Sequence, residues 1–281
     1  MDSGLSSKVV WITGAAGGIG RELARAFAAE GARLVLSAHA SFERLEALAQ
    51  SEPFGADALL ARADVADADA LVRVAEQAVA RFGRIDACIA NAGAWPVEDV
   101  PLSRMDPARL RRTVEVNLIG TALTARAFLA SLERSGPRAD GHGAALVAIG
   151  STAGRFGERD HADYALAKAG LRGLVATLKN EIARVDPRGR ANLIEPGWTA
   201  TEIVRPALQD DAVLRRVAST LPLRQLGRAR DVAAAALFLA SPLLAAHVSG
   251  EVLGVNGGME GRRLWSDAEI DPAAMRARLT P

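Results

Sequence analysis

The amino-acid sequence predicts an α/β fold: a single doubly wound domain in which a parallel sheet lies between helices on both faces. Short apolar runs rich in β-branched residues alternate along the 281 residues with amphipathic helical patterns. These runs are apolar on both faces, which is typical of parallel strands covered by helices on either side. No Pro-, Gly- or Ser-rich linker divides the alternation. We therefore expect one domain, although a length of ~100–200 residues per domain would allow two.

The first part of the chain contains four strand patterns separated by three helix patterns. The predicted strands are KVVWITG, ARLVLSA, ALLARADV and IDACIANAG. The predicted helices are GRELARAFAAEGA, SFERLEALAQ and DADALVRVAEQAVARFG. In the first helix Leu23, Ala26 and Phe27 recur at helical spacing, and Gly31 follows where glycine commonly ends a helix.

The alternation continues to the end of the domain, which we place at residue 259. RLRRTVEVNLIGTALTARAFLASLE predicts one long helix, and another helix is expected from about Tyr164 to Val185. The remaining predicted elements are the strands AALVAIGS, RANLIEPG and GEVLGVNGG and the helix DVAAAALFLAS. Residues 199–226 predict one or two short helices inserted before that helix. Residues 260–281 form a polar tail, expected to be a loosely packed end, with a flap over a site or a neighbouring subunit as the alternative.

Composition narrows the classes of partner. The chain is 49% hydrophobic and 24% charged, as in ordinary globular proteins. Its net charge of +1 offers no basic excess for nucleic acid or an anionic membrane. Cys88 is the only cysteine and lies in an apolar run, where a buried inert thiol is expected, and no metal site is predicted. With no secretory signal and no apolar stretch of ~20 residues, we expect a cytoplasmic protein.

A glycine-rich turn follows the first predicted strand and opens directly into the first predicted helix. It reads TGAAGGIG, from Thr13 to Gly20. Glycine admits positive φ and close backbone approach, and a helix N-terminus presents free N–H groups to an anion. Strand, turn and helix in this order form the phosphate-binding unit of the Rossmann fold. The sequence therefore predicts dinucleotide binding, with Gly14, Gly18 and Gly20 as the turn glycines.

The turn spacing T-G-x-x-x-G-x-G, together with Y-x-x-x-K downstream, resembles that of the short-chain dehydrogenase/reductase family in its shorter, single-domain branch. The resemblance spans about residues 6 to 259, and the motifs come in the family's order. They are Thr13–Gly20, Asp64, Asn91–Gly93, Asn117, Ser151, Tyr164, Lys168 and Pro196–Thr201. The resemblance implies a Rossmann domain that binds a nicotinamide dinucleotide. It also implies a homodimer or homotetramer built through the helices that carry Asn117 and Tyr164.

The resemblance further implies which residues hold the dinucleotide. Asp64 and Val65 would contact the adenine, and Thr201 would bind the carboxamide of the nicotinamide. The residues Asn91, Ala92 and Gly93 would line the path of the nucleotide. The full set of expected cofactor contacts is Gly14, Gly18, Ile19, Gly20, Ser37, His39, Asp64, Val65, Asn91, Ala92, Gly93, Tyr164, Lys168, Pro196, Gly197, Thr199 and Thr201.

The end of the second predicted strand, LVLSAHAS, bears on the choice between NAD and NADP. In Rossmann folds an acid there binds the ribose diol of NAD, whereas polar or basic groups admit the 2′-phosphate of NADP. Ala38 stands where NAD-using relatives carry the acid, and Ser37, His39 and Ser41 could donate to a phosphate. We therefore expect NADP(H). NAD(H) stays open because the turn has no Arg or Lys and a histidine is mostly neutral at pH 7.

Tyr164, the only tyrosine of the chain, and Lys168 lie one helical turn apart on the same face. A nearby ammonium lowers the pKa of a phenol from its ordinary ~10, so the pair could exchange a proton with an alcohol or carbonyl oxygen. Ser151 ends a predicted strand, where its hydroxyl could hold the substrate oxygen. By the resemblance, Asn117 supports a water relay to Lys168, which also hydrogen-bonds the nicotinamide ribose.

These residues predict an NAD(P)-dependent oxidoreductase that transfers hydride between the nicotinamide and a ketone/secondary alcohol pair, acting on CH–OH groups. One alternative is a dinucleotide-binding regulatory protein without turnover, against which the intact set of Asn117, Ser151, Tyr164 and Lys168 counts. Another is an epimerase or dehydratase of the family's larger branch. The turn spacing and the lack of a substantial C-terminal domain count against that alternative.

The substrate is expected to be a small molecule bound above the carboxyl ends of the strands, as open α/β sheets require. Two tryptophans near the site suggest a flat or apolar substrate body. The expected pocket residues are Trp95, Arg155, Phe156, His161 and Trp198. By the resemblance, residues 199–226 form a substrate loop that closes over the bound molecule.

Overall fold

A seven-stranded parallel sheet forms the centre of the protein, whose computed structural model describes residues 2–55, 57–202, 204, 207–261, 263 and 265–279. Within these residues the strands are β1 (Val9–Thr13), β2 (Arg33–Ala38), β3 (Leu59–Arg62), β4 (Ala87–Ala90), β5 (Ala145–Ile149), β6 (Arg190–Pro196), β7 (Thr199–Ala200), β8 (Gly227–Arg228) and β9 (Val252–Val255). β7 and β8 pair with each other, and the sheet order is β3-β2-β1-β4-β5-β6-β9. The order reverses between β1 and β4, where such sheets bind ligands.

Helices cover both faces of the sheet, so the predicted doubly wound α/β fold is confirmed. In the described residues they are α1 (Gly18–Ala29), α2 (Phe42–Ser51), α3 (Ala68–Phe82), α4 (Pro107–Val114), α5 (Gly120–Ser135), α6 (Ala153–Phe156), α7 (Ala162–Val185), α8 (Asp211–Ala218), α9 (Ala229–Ala240) and α10 (Pro272–Leu279). α1, α2 and α9 pack on one face of the sheet. α3, α5 and α7 pack on the other face.

Each face of the sheet has its own apolar layer. α1 contributes the fully buried Phe27 to one layer, and α5 contributes the fully buried Phe128 to the other. Trp11 of β1 is also fully buried, and its indole N–H donates to Ser37 Oγ at 3.1 Å. Because truncating a buried Phe to Ala costs about 3–5 kcal/mol, these layers hold the strand ends in fixed positions.

The helix predicted around Asn117 is not continuous. α4 ends at Val114, a π-helical turn follows over Glu115–Ile119, and α5 begins at Gly120. The extra residue of a π-turn shifts the side chains on either side of it relative to a regular helix, and such turns occur frequently at functional sites. The turn therefore sets the direction in which the Asn117 side chain points.

The C-terminal tail packs against the inserted segment instead of being a loosely packed end. Ile270 and Met275 of the tail share a buried cluster with Leu214 and Val217 of α8. The Trp265 indole N–H donates to the Leu221 carbonyl at 2.7 Å. We call the described residues of 198–226 and 259–279 the cap. The expected short helices of the inserted segment are a 3₁₀ turn, Ala207–Gln209, and α8.

Two further predictions concern the single cysteine, Cys88, and the presence of a membrane-spanning segment. Cys88 lies on β4 and is fully buried, and this burial raises the pKa of its thiol far above the ordinary value. Its thiol therefore stays protonated and unreactive. Among the helices of the described residues, none is long and apolar enough to cross a bilayer.

Candidate active site

A cleft of about 250 Å³ opens at the carboxyl ends of β1, β4, β5 and β6. Its lining combines residues of the predicted motifs with neighbours on the same strand ends. The described lining residues are Ile19, Asn91, Gly93, Ala94, Trp95, Ile149, Gly150, Ser151, Thr152, Ala153, Glu158, Tyr164, Lys168, Pro196, Gly197, Trp198, Thr199, Thr201 and Val204. The cleft thus lies at the reversal of strand order, where a ligand is expected.

A larger cleft of about 540 Å³ adjoins it at Thr201, between α1 and the cap. Among its charged lining residues, Arg25 pairs with Glu22 at 2.6 Å, and Arg228 pairs with Asp231 of α9, outside the described lining, at 2.8 Å. It contains none of the residues expected to carry catalysis. The smaller cleft is therefore the candidate active site.

The glycine turn is shaped so that only glycine is accommodated at two of its positions. Gly14 has φ of 64°, and a Cβ built there would lie 2.8 Å from the Cα of Ala92. A Cβ on Gly20 would collide with the carbonyl oxygen of Gly14. α1 begins at Gly18, and its N-cap residue Gly17 has no side chain to cap the first amides. The turn therefore has free N–H groups at a helix N-terminus, an arrangement suited to a pyrophosphate.

Asn91 and Thr13 join the ends of β1 and β4 beside this turn. The Asn91 amide donates from Nδ2 to the carbonyl oxygens of Thr13 at 2.9 Å and Gly14 at 3.1 Å. Thr13 Oγ1 accepts the backbone N–H groups of Asn91 and Ala92 at 3.1 and 3.0 Å. These bonds hold open the crevice at the reversal of strand order and position Gly93 at its edge.

Ser151 and Tyr164 are brought together at the wall of the cleft. Ser151 follows β5, and its Oγ accepts the Ala153 N–H at 3.1 Å. Tyr164 is in the first turns of α7 and is partly buried, and the neighbouring Ser151 side chain acts to lower the pKa of its phenol. The Trp95 ring contacts the Tyr164 ring edge-on, with 4.8 Å between centroids. The two hydroxyl groups can therefore contact one substrate oxygen.

Lys168 is 3% exposed and lies behind the phenol. Its Nζ donates to the Ile149 carbonyl oxygen at 2.9 Å and is 5.6 Å from the centre of the Tyr164 ring. Burial lowers the pKa of Lys168 to about 8. We expected the ammonium to lower the pKa of Tyr164. In the protein on its own, desolvation raises the pKa of Tyr164 to about 12, and only the Ser151 side chain acts in the opposite direction.

Asn117 is fully buried and fastens the segment after β4. Its Oδ1 accepts the Ala94 N–H at 3.1 Å, and its Nδ2 donates to the carbonyl oxygens of Ala94 at 2.9 Å and Thr113 at 3.0 Å. A Cβ on Gly93 would lie 2.8 Å from Asn117 Oδ1 and 3.4 Å from Lys168 Nζ. By the resemblance, the Asn117 side chain supports a water relay. In the structure it also fixes the backbone of the segment that leads from β4 to Trp95.

The residues expected to contact the adenosine end of the dinucleotide differ in how deeply they are buried. Ser37 is 2% exposed and its Oγ accepts the Trp11 indole N–H, so its side chain lies within the sheet layer and not at a phosphate site. This corrects its expected role as a phosphate donor. His39 is exposed, with Nδ1 3.3 Å from an oxygen of Asp64. Val65 is buried against Gly120 at the start of α5, where a Cβ would come within 2.6 Å of it.

Of the five residues expected in the substrate pocket, Trp95 and Trp198 line the cleft. Arg155, Phe156 and His161 are not among its described lining residues. His161 is 3% exposed and lies beneath Trp95, with 4.2 Å between ring centroids, and its Nε2 is 3.0 Å from Asp99 Oδ1. Arg155 is exposed and stacks on the Phe156 ring at 5.1 Å.

Several lining residues were missed by sequence reasoning. They are Ala94, Ile149, Gly150, Thr152, Ala153, Glu158 and Val204. The first five lie within two positions of the motif residues that follow β4 and β5, so neighbourhood in sequence could have indicated them. Glu158 has no such signal, because its loop belongs to no motif. In the described residues, no group of three or more His, Cys, Asp or Glu side chains could hold a metal ion.

Comparison with known proteins agrees with this geometry. The family model described as enoyl-(acyl carrier protein) reductase matches residues 14–260. The chain is 35% identical over 253 residues to the 3-oxoacyl-(acyl-carrier-protein) reductase of Escherichia coli strain K12, covering 90% of this chain and 97% of that protein. It is 33% identical over 260 residues to the cis-4-hydroxycyclohexanecarboxylate dehydrogenase of Sinomonas cyclohexanicum, covering 92% and 98% respectively.

A solved structure extends the agreement to three dimensions. A short-chain dehydrogenase/reductase of Brucella melitensis, described as a glucose/ribitol dehydrogenase, superposes with a TM-score of 0.81 at 30% identity. The match covers 92% of this chain and 99% of that one. The family-model match spans the cleft and every strand of the sheet after β1, and the relatives and the solved structure each cover at least 90% of the chain. The chain belongs to the short-chain dehydrogenase/reductase family of NAD(P)-dependent oxidoreductases, as its turn and its Tyr–Lys pair predicted.

Proposed function

We propose that this protein interconverts a ketone and a secondary alcohol, with Tyr164 exchanging the proton at the substrate oxygen. The observation that carries the proposal is the placement of the Ser151 side chain beside the Tyr164 phenol. The pair lies at the wall of a cleft that Ile19 of the glycine turn also lines. One bound substrate oxygen could thus meet both hydroxyl groups while its carbon faces the dinucleotide path.

In the reducing direction Tyr164 would act as a general acid. A phenol whose pKa is raised to about 12 keeps its proton at neutral pH and can donate it to the oxygen as negative charge develops there. Ser151 would orient that oxygen. Since its Oγ already accepts the Ala153 N–H, the Ser151 proton is left to donate.

In the oxidising direction the same phenol would have to accept a proton, which desolvation opposes. Lys168, with a pKa of about 8, is largely an ammonium at neutral pH, and positive charge behind the ring favours phenolate. The Ser151 side chain favours phenolate as well. Asn117 would keep Gly93 and Ala94 in place beside Lys168.

A nicotinamide dinucleotide, when bound, would supply or take up the hydride. The free amides at Gly18, Ile19 and Gly20 would hold its pyrophosphate. Thr199, Thr201 and the segment Pro196–Gly197 line the cleft where the nicotinamide end would lie. Asn91, Ala92 and Gly93 would border the path between these two ends, and Asp64 and Val65 the adenine.

We infer that NADP(H) is preferred over NAD(H). β2 ends in Ala38 and not in an acid, and the adjacent His39 side chain is 59% exposed, free to face a 2′-phosphate. Fluorescence titration should give tighter binding of NADPH than of NADH. His39→Ala should weaken NADPH binding about threefold, the worth of one exposed hydrogen bond, and leave NADH binding unchanged. Equal affinities in the native chain would contradict the preference.

We also infer a homodimer or homotetramer built through α4, α5 and α7. Ile119, in the π-turn between α4 and α5, and Leu166, on α7, are 38% and 57% exposed. Apolar side chains on neighbouring helices favour contact with a second subunit. Sedimentation should give a dimer or tetramer, and a monomer at assay concentrations would contradict this inference. The cytoplasmic location stays a prediction.

The proposed reaction is tested by a panel of small ketones and secondary alcohols, each assayed with both dinucleotides by nicotinamide absorbance. We expect substrate-dependent oxidation or reduction with at least one chemical class. If no compound changes the absorbance although both dinucleotides bind, the regulatory alternative without turnover is favoured.

A further inference from the structure

One ionisable side chain of the cleft has no part in the proposed proton transfer. Glu158, in the loop between α6 and α7, lines the cleft with Trp95 and Trp198. It is partly buried, and its carboxylate forms no hydrogen bond or ion pair with any residue that the structure describes. Among the described residues, the Glu158 oxygens do not belong to the buried polar atoms that lack a hydrogen-bond partner, so they remain accessible. Glu158 therefore provides an accessible acceptor at the wall of the cleft.

The charged groups around Glu158 do not neutralise it by contact. His161, Arg159 and Arg216 favour its charged form electrostatically, and Asp99 disfavours it. None of these four is among the described residues that line the cleft. Desolvation is the largest influence, and it raises the pKa of the Glu158 carboxyl above its ordinary value. A substrate group that donates a hydrogen bond to this carboxylate would offset that desolvation.

The other charged side chain among the described lining residues, Lys168, forms a hydrogen bond within the protein. Among the described lining residues Glu158 is the only acid and Lys168 the only base. Lys168 is 3% exposed, and its Nζ donates to the Ile149 carbonyl oxygen. A bound molecule thus meets a partly buried but accessible carboxylate, whereas the one basic side chain among the described lining residues is almost fully buried. A carboxylate on the substrate would be repelled, whereas a hydroxyl or ammonium would find an acceptor.

Two indole rings form the apolar part of the same wall. Trp95 is fixed from behind by His161 and contacts Tyr164 edge-on. Trp198, from the start of the cap, lines the cleft as well. Indole faces pack well against a flat ring, and they also attract cations.

We propose that Glu158, Trp95 and Trp198 form a specificity subsite for ring-shaped alcohols or ketones that carry a hydrogen-bond donor, a hydroxyl or an ammonium, beside the reacting carbon. The subsite disfavours rings that carry a carboxylate at that position. The proposal rests on the ketone/alcohol reaction proposed above and extends it to a class of substrate.

The test compares four alcohols that share one ring: cyclohexanol, cyclohexane-1,2-diol, 2-aminocyclohexanol and 2-hydroxycyclohexanecarboxylate. The full-length protein is assayed with NADP⁺ and with NAD⁺. We expect kcat/KM for the diol and the amino alcohol to exceed that for cyclohexanol about 10-fold, the worth of a hydrogen bond to a charged group. The carboxylate should fall about 10-fold below cyclohexanol for the opposite reason.

Glu158→Gln separates charge from shape. Relative to cyclohexanol assayed with the same variant, it should remove the advantage of the amino alcohol, reduce that of the diol, and abolish the disadvantage of the carboxylate. Loss confined to the amino alcohol identifies an ammonium as the donor, and loss for both identifies a donor of either kind. The matched control is Glu76→Gln, which makes the same charge change on an exposed position of α3 and should leave the order intact.

A binding measurement distinguishes failure of this proposal from failure of the proposed reaction. Saturation-transfer NMR with NADP⁺-loaded Tyr164→Phe protein reports binding of the four rings without turnover. Donor-dependent binding that Glu158→Gln abolishes, with no oxidation by the native chain, supports the subsite and contradicts the reaction. Oxidation of cyclohexanol with equal kcat/KM for all four rings retains the reaction and overturns the subsite. Absence of both oxidation and donor-dependent binding also overturns the subsite.

Discussion

The two sides of the cleft are secured in different ways. One side, which we call the floor, consists of the glycine turn with Asn117, Ser151, Tyr164 and Lys168. Its side chains are tied to the sheet, as in the bond from Lys168 Nζ to the Ile149 carbonyl oxygen. The other side is the cap, which has a small apolar cluster of its own. The floor thus shares the two main apolar layers of the protein, and the cap does not.

Arginines of the cap bind main-chain carbonyl groups across its two segments. Arg215 donates to the Asp267 and Ile270 carbonyl oxygens, both at 2.6 Å. Arg278 donates to the Leu226 carbonyl oxygen at 3.1 Å. Most of this tail lies beyond residue 260, where the match to the family model ends. Under the proposed function, the floor would hold the dinucleotide and exchange the proton, and the cap would add Trp198 to the substrate subsite.

Gly20→Ala is expected to have the largest effect on the floor. The added Cβ would collide with the Gly14 carbonyl oxygen, so the turn must open and its amides lose their alignment. Overpacking of this kind costs about 1–3 kcal/mol, or about 5- to 150-fold in dinucleotide affinity, measured by fluorescence titration. Gly173→Ala on α7, where a Cβ meets nothing within 4 Å, is the control. Unchanged affinity in Gly20→Ala would refute the role of the turn.

Met275→Ala is the matching change in the cap. Met275 is 4% exposed in the cluster with α8, and its truncation costs about 2–5 kcal/mol of local packing. Hydrogen exchange of α8 should accelerate and KM for the substrate should rise several-fold, whereas dinucleotide affinity and exchange of the sheet stay unchanged. The control Ala277→Ser, on the exposed side of α10, should change neither the hydrogen exchange of α8 nor KM for the substrate. If hydrogen exchange accelerated equally in the sheet and in α8, the cap and the floor would unfold as one cooperative unit, and the distinction between them would be contradicted.

A titration of the phenol sharpens the account of the floor without changing any residue. Because desolvation raises the pKa of Tyr164 to about 12, less than about a tenth of it should be ionised near pH 10, where free tyrosine is half ionised. Tyr164 is the only tyrosine, so the ultraviolet phenolate signal of the folded protein belongs to it alone. Half ionisation near pH 10 in protein that circular dichroism shows to be folded would contradict the assigned environment.

The sheet and the floor could be predicted because their signals are local. Buried strands are short apolar runs, and the carboxyl ends of parallel strands meet at one edge, which brings together the residues that follow each run. The face of β2 on which the Ser37 side chain lies could also have been predicted. Side chains alternate along a strand, so Ser37 shares the buried face of Val35, which packs beneath the second layer of helices.

Other features depend on contacts between distant segments. The π-turn at Glu115–Ile119 leaves the helical pattern of the sequence unchanged. Nothing near His161 indicates that Trp95 covers it. The tail has apolar residues, but their spacing does not name α8 as the surface they pack on. The raised pKa of the phenol likewise follows from enclosure by several segments and not from the nearby Lys168.

Turnover by Tyr164→Phe tests the central claim most directly, because this change removes one oxygen and keeps the ring that packs against Trp95. With a substrate identified from the panel, we predict that kcat falls at least about 100-fold, the lower end of general acid–base catalysis, while the affinity for NADPH stays within about twofold of that of the native chain. Carbonyl-dependent turnover at the native rate, with the dinucleotide bound, would contradict the assignment of the proton to Tyr164.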